Sequence, residues 1–203
     1  MIIDIKNVSL RIGKTDILKS INISFEEGRI HGLIGRNGSG KTMLMKCICG
    51  FIRPTAGIIT VGGKQIGKDI DFPENMGIII EAPGFIPYYS GYKNLKLLAG
   101  LRGKIGKNEI IKSMEQVGLD PYLKRHVRKY SLGMRQRLGL AQAIMENPDL
   151  LILDEPMSGL DKEGVSDMRG YLKLFPRARK NYSYSFSFCW GYFYFVRYGL
   201  RNG

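Results

Sequence analysis

The chain holds 203 residues, 44% of them hydrophobic and 24% charged. That is an ordinary globular balance, with length for one large domain or a core with an insertion, and it excludes collagen-like, disulfide-scaffold and fully disordered classes. The formal net charge is +13, from 31 Lys+Arg against 18 Asp+Glu, which raises nucleic acid or an anionic membrane as a partner. The charge is uneven, however. From Met168 to Gly203 there are seven basic residues and no acid, leaving a surplus of six over the first 167 residues, and 12 of the 21 aromatics lie from Tyr171 onward.

In chain order, Ile2 to Leu10 and Ile17 to Phe25 read as strands, and Arg29 to Ile34 as a short apolar run ending in a glycine-rich loop. Thr42 to Ile48 reads as a helix, so the loop has the strand before it and the helix after it that give a phosphate-binding motif its meaning. Cys47-x-Cys49 has no second pair, which argues for buried reduced thiols rather than zinc. Gly57 to Val61 and Met76 to Ile80 are further strand candidates. Tyr92 to Gln136 is mostly helical in pattern, broken at Gly103, Gly106 and Pro121, and reads as a helical insertion. Arg135 to Glu146 is a helix stopped by Asn147-Pro148. Leu150 to Leu153 is a continuous apolar run between Pro148 and Pro156, the pattern of a buried parallel strand. No run of about 20 apolar residues is present, so no transmembrane helix is expected.

Two motifs carry chemistry. GRNGSGKT, Gly35 to Thr42, matches the eight-residue phosphate loop. Its Gly35, Gly38 and Gly40 let backbone N–H groups turn inward on phosphate oxygens, with Arg36, Asn37 and Ser39 completing the loop. Lys41 reaches the β- and γ-phosphates and the Thr42 hydroxyl ligates magnesium. LLILDEP, Leu150 to Pro156, sets two acids at the carboxyl end of a buried strand, where ligands of open α/β sheets bind. Asp154 suits magnesium and Glu155 suits the general base on an attacking water.

Between them stands YSLGMRQR, Tyr130 to Arg137, and after the acids comes SGLD, Ser158 to Asp161. In this order and spacing the set resembles the ATP-binding subunit of an ABC transporter over about residues 1–170. The resemblance implies an α/β fold: a P-loop NTPase core of ABC type with an N-terminal antiparallel β subdomain and a helical insertion. Its parts would be 1–84 (β subdomain and first part of the core), 85–135 (helical signature subdomain) and 136–175 (second part of the core), with 176–203 outside the pattern. It also implies ATP and Mg2+ as cofactors, a head-to-tail dimer with a second ATP-binding subunit, and a membrane-spanning permease that holds the chain at the inner face of the cell membrane. Ser131 and Gly133, at a helix N-terminus, would contact the γ-phosphate held by the partner's loop, and Asp161 would sit at the dimer seam.

Three departures stand out. No aromatic lies between Met1 and Ser24 to stack on adenine, a contact worth about 1 kcal/mol or more. The signature carries Leu132 and Met134 where many members have Gly and Gln. The loop that usually carries Gln beside the γ-phosphate reads IIIEAPGF, with Glu81 at that position. Glu81, with the downstream PGF and GYKNL, resembles exporters that give self-protection against bacitracin or lantibiotics. Glu81 is expected to order a magnesium-bound water, although an ionised carboxylate donates no hydrogen bond.

The family continues from SGLD through a helix into a central strand ending in Ser-His, whereas no histidine follows His126 here. Arg177 to Gly203 instead contains no acid and ten aromatics. Taking the second and third bases of each codon with the first base of the next permits EQGKIILIASHSAGDIFILYDTVYEM, which resembles the missing segment with its Ser-His. The expectation is a frameshift near codons 174–177 that leaves the core incomplete at the C-terminus and ATP turnover impaired. If Tyr182 to Phe188 entered the central strand, it would bury three serines or four aromatics where the family buries aliphatics. Because much of the excess charge belongs to this tail, nucleic-acid binding loses its support. Two rivals remain: an inert product of a decayed gene, and a soluble ABC protein acting on ribosomes or DNA. The second usually carries two cassettes or a long coiled-coil insertion, and neither is visible.

Overall fold

The computed structural model describes residues 3–26, 30–33, 36, 38–81, 83–174 and 193–197. Strand β1 (Ile3–Ile12) pairs antiparallel with β2 (Thr15–Phe25) on one side and β4 (Ala56–Val61) on the other, and β4 pairs with the two-residue β5 (Lys64–Gln65). Ile3 and Ile5 face the core, then the inward set shifts by one to Val8 and Leu10. Asn7, at φ 51, absorbs that shift as a bulge. Gly57 on β4 fits against it because a Cβ there would stand 2.3 Å from the Asn7 carbonyl oxygen.

The second sheet runs in the order β3 (Ile30–Leu33), β8 (Phe193–Arg197), β7 (Leu150–Leu153), β6 (Met76–Ile79). Strands β6 and β7 are parallel, and Met76 to Ile79 lie opposite Leu150 to Leu153. All four residues of β7 are buried. Their side chains alternate between two cores, as a period of two requires. Leu150 and Ile152 join the core of the antiparallel sheet together with Leu44, Met45 and Ile48 of helix α1 (Lys41–Ile48). Leu151 and Leu153 join a second core. It is built from α2 (Gly91–Arg102), α3 (Lys107–Gln116), α4 (Leu132–Ile144) and α5 (Lys162–Leu174).

The helices start where their caps allow. Ser90 Oγ accepts from Lys93 N at the head of α2, and Ser131 Oγ accepts from Met134 N at the head of α4. The Glu109 carboxylate returns to Gly106 N before α3. The Ser131 cap starts α4 three residues earlier than the expected Arg135. The expected strands, the helix from Thr42 and the first half of the insertion agree with the observed elements to within about two residues, whereas Val117 to Ser131, expected to be mostly helical, holds only turns and the short 3-10 segment Val127–Lys129. Cys47 and Cys49 are buried, and burial pushes their thiols up to about 11 and about 12, which keeps them protonated and inert. Cys189 lies outside the described residues. Among the described residues, no helix is long and apolar enough to cross a membrane.

The slot between β3 and β7 is filled by Phe193–Arg197, and Tyr182 to Phe188 lie outside the described residues. A strand reached from β7 through a helix by the usual crossover runs parallel to it. Strand β8 is antiparallel to both neighbours: Tyr194 lies opposite Leu153 and Gly32, and Arg197 lies opposite Leu150. Its Phe193 end therefore stands at the edge where β6 and β7 end, and its Arg197 end at the opposite edge.

The packing of β6 on α4 gives a stability test. A Cβ on Gly77 would stand 1.9 Å from the Ala143 carbonyl oxygen, whereas one on Gly100 in α2 meets nothing within 4 Å. Gly77→Ala is expected to destabilise by about 1–3 kcal/mol or more, and Gly100→Ala to stabilise by about 0.5–1 kcal/mol. Thermal denaturation should separate the two melting temperatures by several degrees in those directions.

Candidate nucleotide site

The carboxyl ends of β6 and β7 meet the start of α1. Gly40, at φ 87, is the residue before α1. A Cβ there would lie 2.9 Å from both the Ile17 carbonyl oxygen and Leu18 Cδ2, so the turn requires glycine. Lys41 Nζ donates to the Arg36 carbonyl oxygen at 2.6 Å and to Ser39 Oγ at 3.3 Å. The ammonium is thus held over the loop whose backbone it spans. Gly38 and Ser39 are exposed around it. Gly35 and Asn37 lie outside the described residues.

Thr42, the second residue of α1, donates its hydroxyl to Asp154 Oδ2 at 2.7 Å. This bond joins the two motifs across 112 residues. The Asp154 backbone N–H donates to the Ile79 carbonyl oxygen at 2.7 Å, which fixes the acid at the edge of β6. Asp154 is 8% exposed. Its Oδ1 is buried with no hydrogen-bond partner among the described residues. Burial pushes the Asp154 carboxyl above its ordinary value; the Thr42 hydrogen bond opposes that shift, and the charges of Glu155 and Glu81 add to it. Oxygen donors from a hydroxyl and one carboxylate, with a buried oxygen left over, fit Mg2+, which keeps several waters and phosphate oxygens as its other ligands.

Glu155 and Glu81 both adopt left-handed backbone conformations, φ 46 and φ 63, which are uncommon for residues with side chains. They follow β7 and β6 at the same edge, and both side chains are exposed. Glu81 does not point at open solvent alone: its Oε1 accepts from Lys46 Nζ at 2.6 Å. Sequence reasoning passed over Lys46. The signal was present, since Lys46 lies four residues after Thr42 and so on the same face of α1.

The signature residues gather elsewhere. Ser131 caps α4, Arg135 Nη1 donates to the Tyr130 carbonyl oxygen at 2.9 Å, and the Tyr130 hydroxyl accepts from Gly91 N. Asp161 Oδ1 accepts from Gly164 N at 2.8 Å in the first turn of α5. The two loops brace each other. A Cβ on Gly159 (φ 72) would stand 2.7 Å from Leu132 Cδ2, and one on Gly133 would stand 3.7 Å from Leu160 Cδ2. Leu132, a departure at the sequence level, therefore packs on the SGLD backbone. No described hydrogen bond joins Ser131, Gly133 or Asp161 to the phosphate loop. Of the two histidines, His31 contacts the Glu26 carbonyl oxygen, and His126 forms a bridge with Ser90.

A family model described as ABC transporter matches residues 18–158. Among curated proteins, the chain is 46% identical over 164 residues to the uncharacterized ABC transporter ATP-binding protein YybJ of Bacillus subtilis, covering 81% of this chain and 75% of that one. It is 43% identical over 172 residues to the bacitracin transport ATP-binding protein BcrA of Enterococcus faecalis, covering 84% of this chain and 56% of that one. Identity to the lantibiotic transport ATP-binding protein SrtF of Streptococcus pyogenes is 37% over 172 residues, covering 84% and 73%. The chain thus spans between about half and three-quarters of these relatives' lengths. Among solved structures, a putative ABC transporter ATP-binding protein from Pyrococcus furiosus superposes with a TM-score of 0.74 at 25% identity, covering 93% of this chain and 94% of that one. The dimeric ATP-binding cassette MJ0796 bound to ADP and Pi superposes at 0.71 and 21% identity, covering 90% and 86%, and shares the fold. A family match over residues 18–158, with relatives above 40% identity across more than four-fifths of the chain, places this protein in the ABC transporter family, among its ATP-binding proteins.

Proposed function

We propose that this chain is the ATP-binding, ATP-hydrolysing subunit of an exporter for antimicrobial peptides or antibiotics, acting on a separate membrane-spanning permease. The observation that carries the nucleotide reading is the contact of Thr42 Oγ1 with Asp154 Oδ2, beside an Asp154 Oδ1 that has no described partner. The exporter class rests on the bacitracin and lantibiotic transport relatives.

In this reading the backbone N–H groups of Gly38 to Lys41 and the start of α1 receive the phosphates. Lys41 exchanges its carbonyl and hydroxyl partners for phosphate oxygens. Thr42 and Asp154 hold Mg2+, which neutralises charge on the β- and γ-phosphates when bound. Glu155 takes the proton from the attacking water. Glu81, released from Lys46, orders a water at the γ-phosphate side. Ser131 and Gly133 present the N-terminus of α4 to the nucleotide of a second ATP-binding subunit, with Asp161 at the seam, and the mutual packing of Leu132, Gly159 and Leu160 keeps these loops together. The place beneath the permease is the inner face of the cell membrane. Turnover is slow in this reading, because neither histidine lies at the site: His31 contacts the Glu26 carbonyl oxygen, and His126 is tied through its backbone to Ser90.

Lys41→Ala should weaken MgATP binding about 10- to 100-fold, the loss of a charged hydrogen bond, measured by calorimetry; unchanged affinity rejects the site. Glu155→Gln should bind ATP as the parent does while residual turnover falls about 100-fold or more. Undiminished turnover rejects the general-base role. Asp154→Asn separates stability from function. A carboxyl whose pKa burial raises contributes stability at low pH that is lost as pH rises through the folded-state value. Without Mg2+ at about pH 7, where an ordinary carboxylate is ionised, Asp154→Asn should melt at or above the parent temperature. The difference should shrink as the pH falls and the parent carboxyl protonates, while Mg2+-dependent ATP binding is lost throughout.

A further inference from the structure

The surplus of six charges over residues 1–167 is not spread evenly in space. Residues 82–145 hold twelve Lys and Arg against three acids, and the rest of 1–167 holds twelve against fifteen. The stretches 82–108 and 121–145 contain no acid at all. The fold lays parts of these two stretches side by side. Val127 N donates to the Tyr89 carbonyl oxygen at 2.9 Å and Arg128 N to the Pro87 carbonyl oxygen at 3.0 Å, while Ser90 and His126 form an antiparallel bridge.

The surface so made is basic and studded with tyrosine. Lys93, Lys124, Arg125, Arg128 and Lys129 are all exposed. None forms an ion pair among the described residues. The Arg128 guanidinium lies over the Tyr88 ring at 4.8 Å, and the Lys93 ammonium over the Tyr89 ring at 3.8 Å. Tyr88 is 62% exposed. Exposed cations without ion-pair partners, two of them over the exposed Tyr88 and half-buried Tyr89 rings, match a boundary that is negatively charged outside and apolar just beneath.

We propose that this face of the helical insertion docks on the anionic phospholipid headgroups of the membrane. The proposal goes beyond the nucleotide reading and rests only on its placement of the chain at the membrane. Each Lys or Arg near such a surface contributes attraction that acts within a Debye length, so five clustered cations are enough for salt-sensitive association. A bilayer is favoured over a nucleic-acid strand because both ring–cation pairs keep their cations over the tyrosine faces that bases would have to stack on.

The test is co-sedimentation of the full chain with vesicles of phosphatidylcholine alone or with about 30 mol% phosphatidylglycerol, a level that gives a surface potential of the kind such patches respond to. Binding is expected to the anionic vesicles only, and to be lost near 1 M salt, where the Debye length is about 3 Å. The variant Lys124→Gln/Arg125→Gln/Arg128→Gln/Lys129→Gln should partition at least about 50-fold less. A control of equal charge, Lys6→Gln/Lys14→Gln/Lys19→Gln/Lys68→Gln on the β subdomain, should partition as the parent does. Calorimetry with MgATP on the same preparations reports separately whether nucleotide binding stands. No preference for anionic vesicles, or equal losses in both variants, overturns the proposal. So does a helical-face variant that loses affinity for an oligo-dT strand while retaining vesicle binding, which would identify a nucleic-acid surface instead.

Discussion

The constraint on which this structure depends is the double burial of β7. Leu150 and Ile152 complete one core while Leu151 and Leu153 complete the other. No polar residue is tolerated at any of the four positions, because an unpaired polar group there would cost about 1–3 kcal/mol. The strand therefore cannot end in solvent by gradual fraying. It passes in one step from Leu153 to Asp154, which is still buried on one side by the edge of β6 and on the other by α1. The desolvation that raises the Asp154 carboxyl is a direct result of the strand's packing, and so is the hydrogen bond from Thr42 that partly offsets it.

The same edge collects two further acids, Glu81 and Glu155, and the chain bends sharply to do so. Glu81 and Glu155 each leave their strand through a left-handed residue, which turns the following segment away and leaves the carboxylate at the rim. Such conformations are held by their surroundings at a cost of order 1–3 kcal/mol each. Lys46 limits the crowding of like charges by pairing with Glu81 from the next turn of the helix that carries Thr42. Charge is divided over the molecule accordingly: acids gather around the ends of β6 and β7 and in residues 146–167, cations on the helical insertion.

Strand β8 occupies the slot that gives this sheet its continuity, but in the direction opposite to its neighbours. Backbone hydrogen bonding is satisfied in either direction, so a sheet of this size accepts an antiparallel member. What direction decides is which end of the strand meets the nucleotide edge. In the parallel sense the strand's last residue would stand at the edge where β6 and β7 end; in the sense observed, Arg197 ends at the far edge. The fold can thus keep its two cores and the buried Asp154 while the direction of the central strand is reversed.

The phosphate loop, the acid strand and the family were legible in the amino-acid sequence, whereas the serine caps that start α2 and α4 were not. The two motifs are local patterns: glycines that a tight turn needs, and four apolar residues followed by two acids. The strand boundaries of β6 and β7 were legible to within a residue for the same reason. How the pieces meet depends on the folded chain. The Thr42–Asp154 contact spans 112 residues and the Lys46–Glu81 pair spans 35, and no local pattern ties one partner to the other. Leu132 departs from the usual signature and packs against Gly159, a contact set by the loop folded against it. The basic face of the insertion was hidden in an average: a charge count along the chain is blind to the pairing of Pro87–Ser90 with His126–Arg128, and hydrogen bonds between distant segments decide which cations become neighbours.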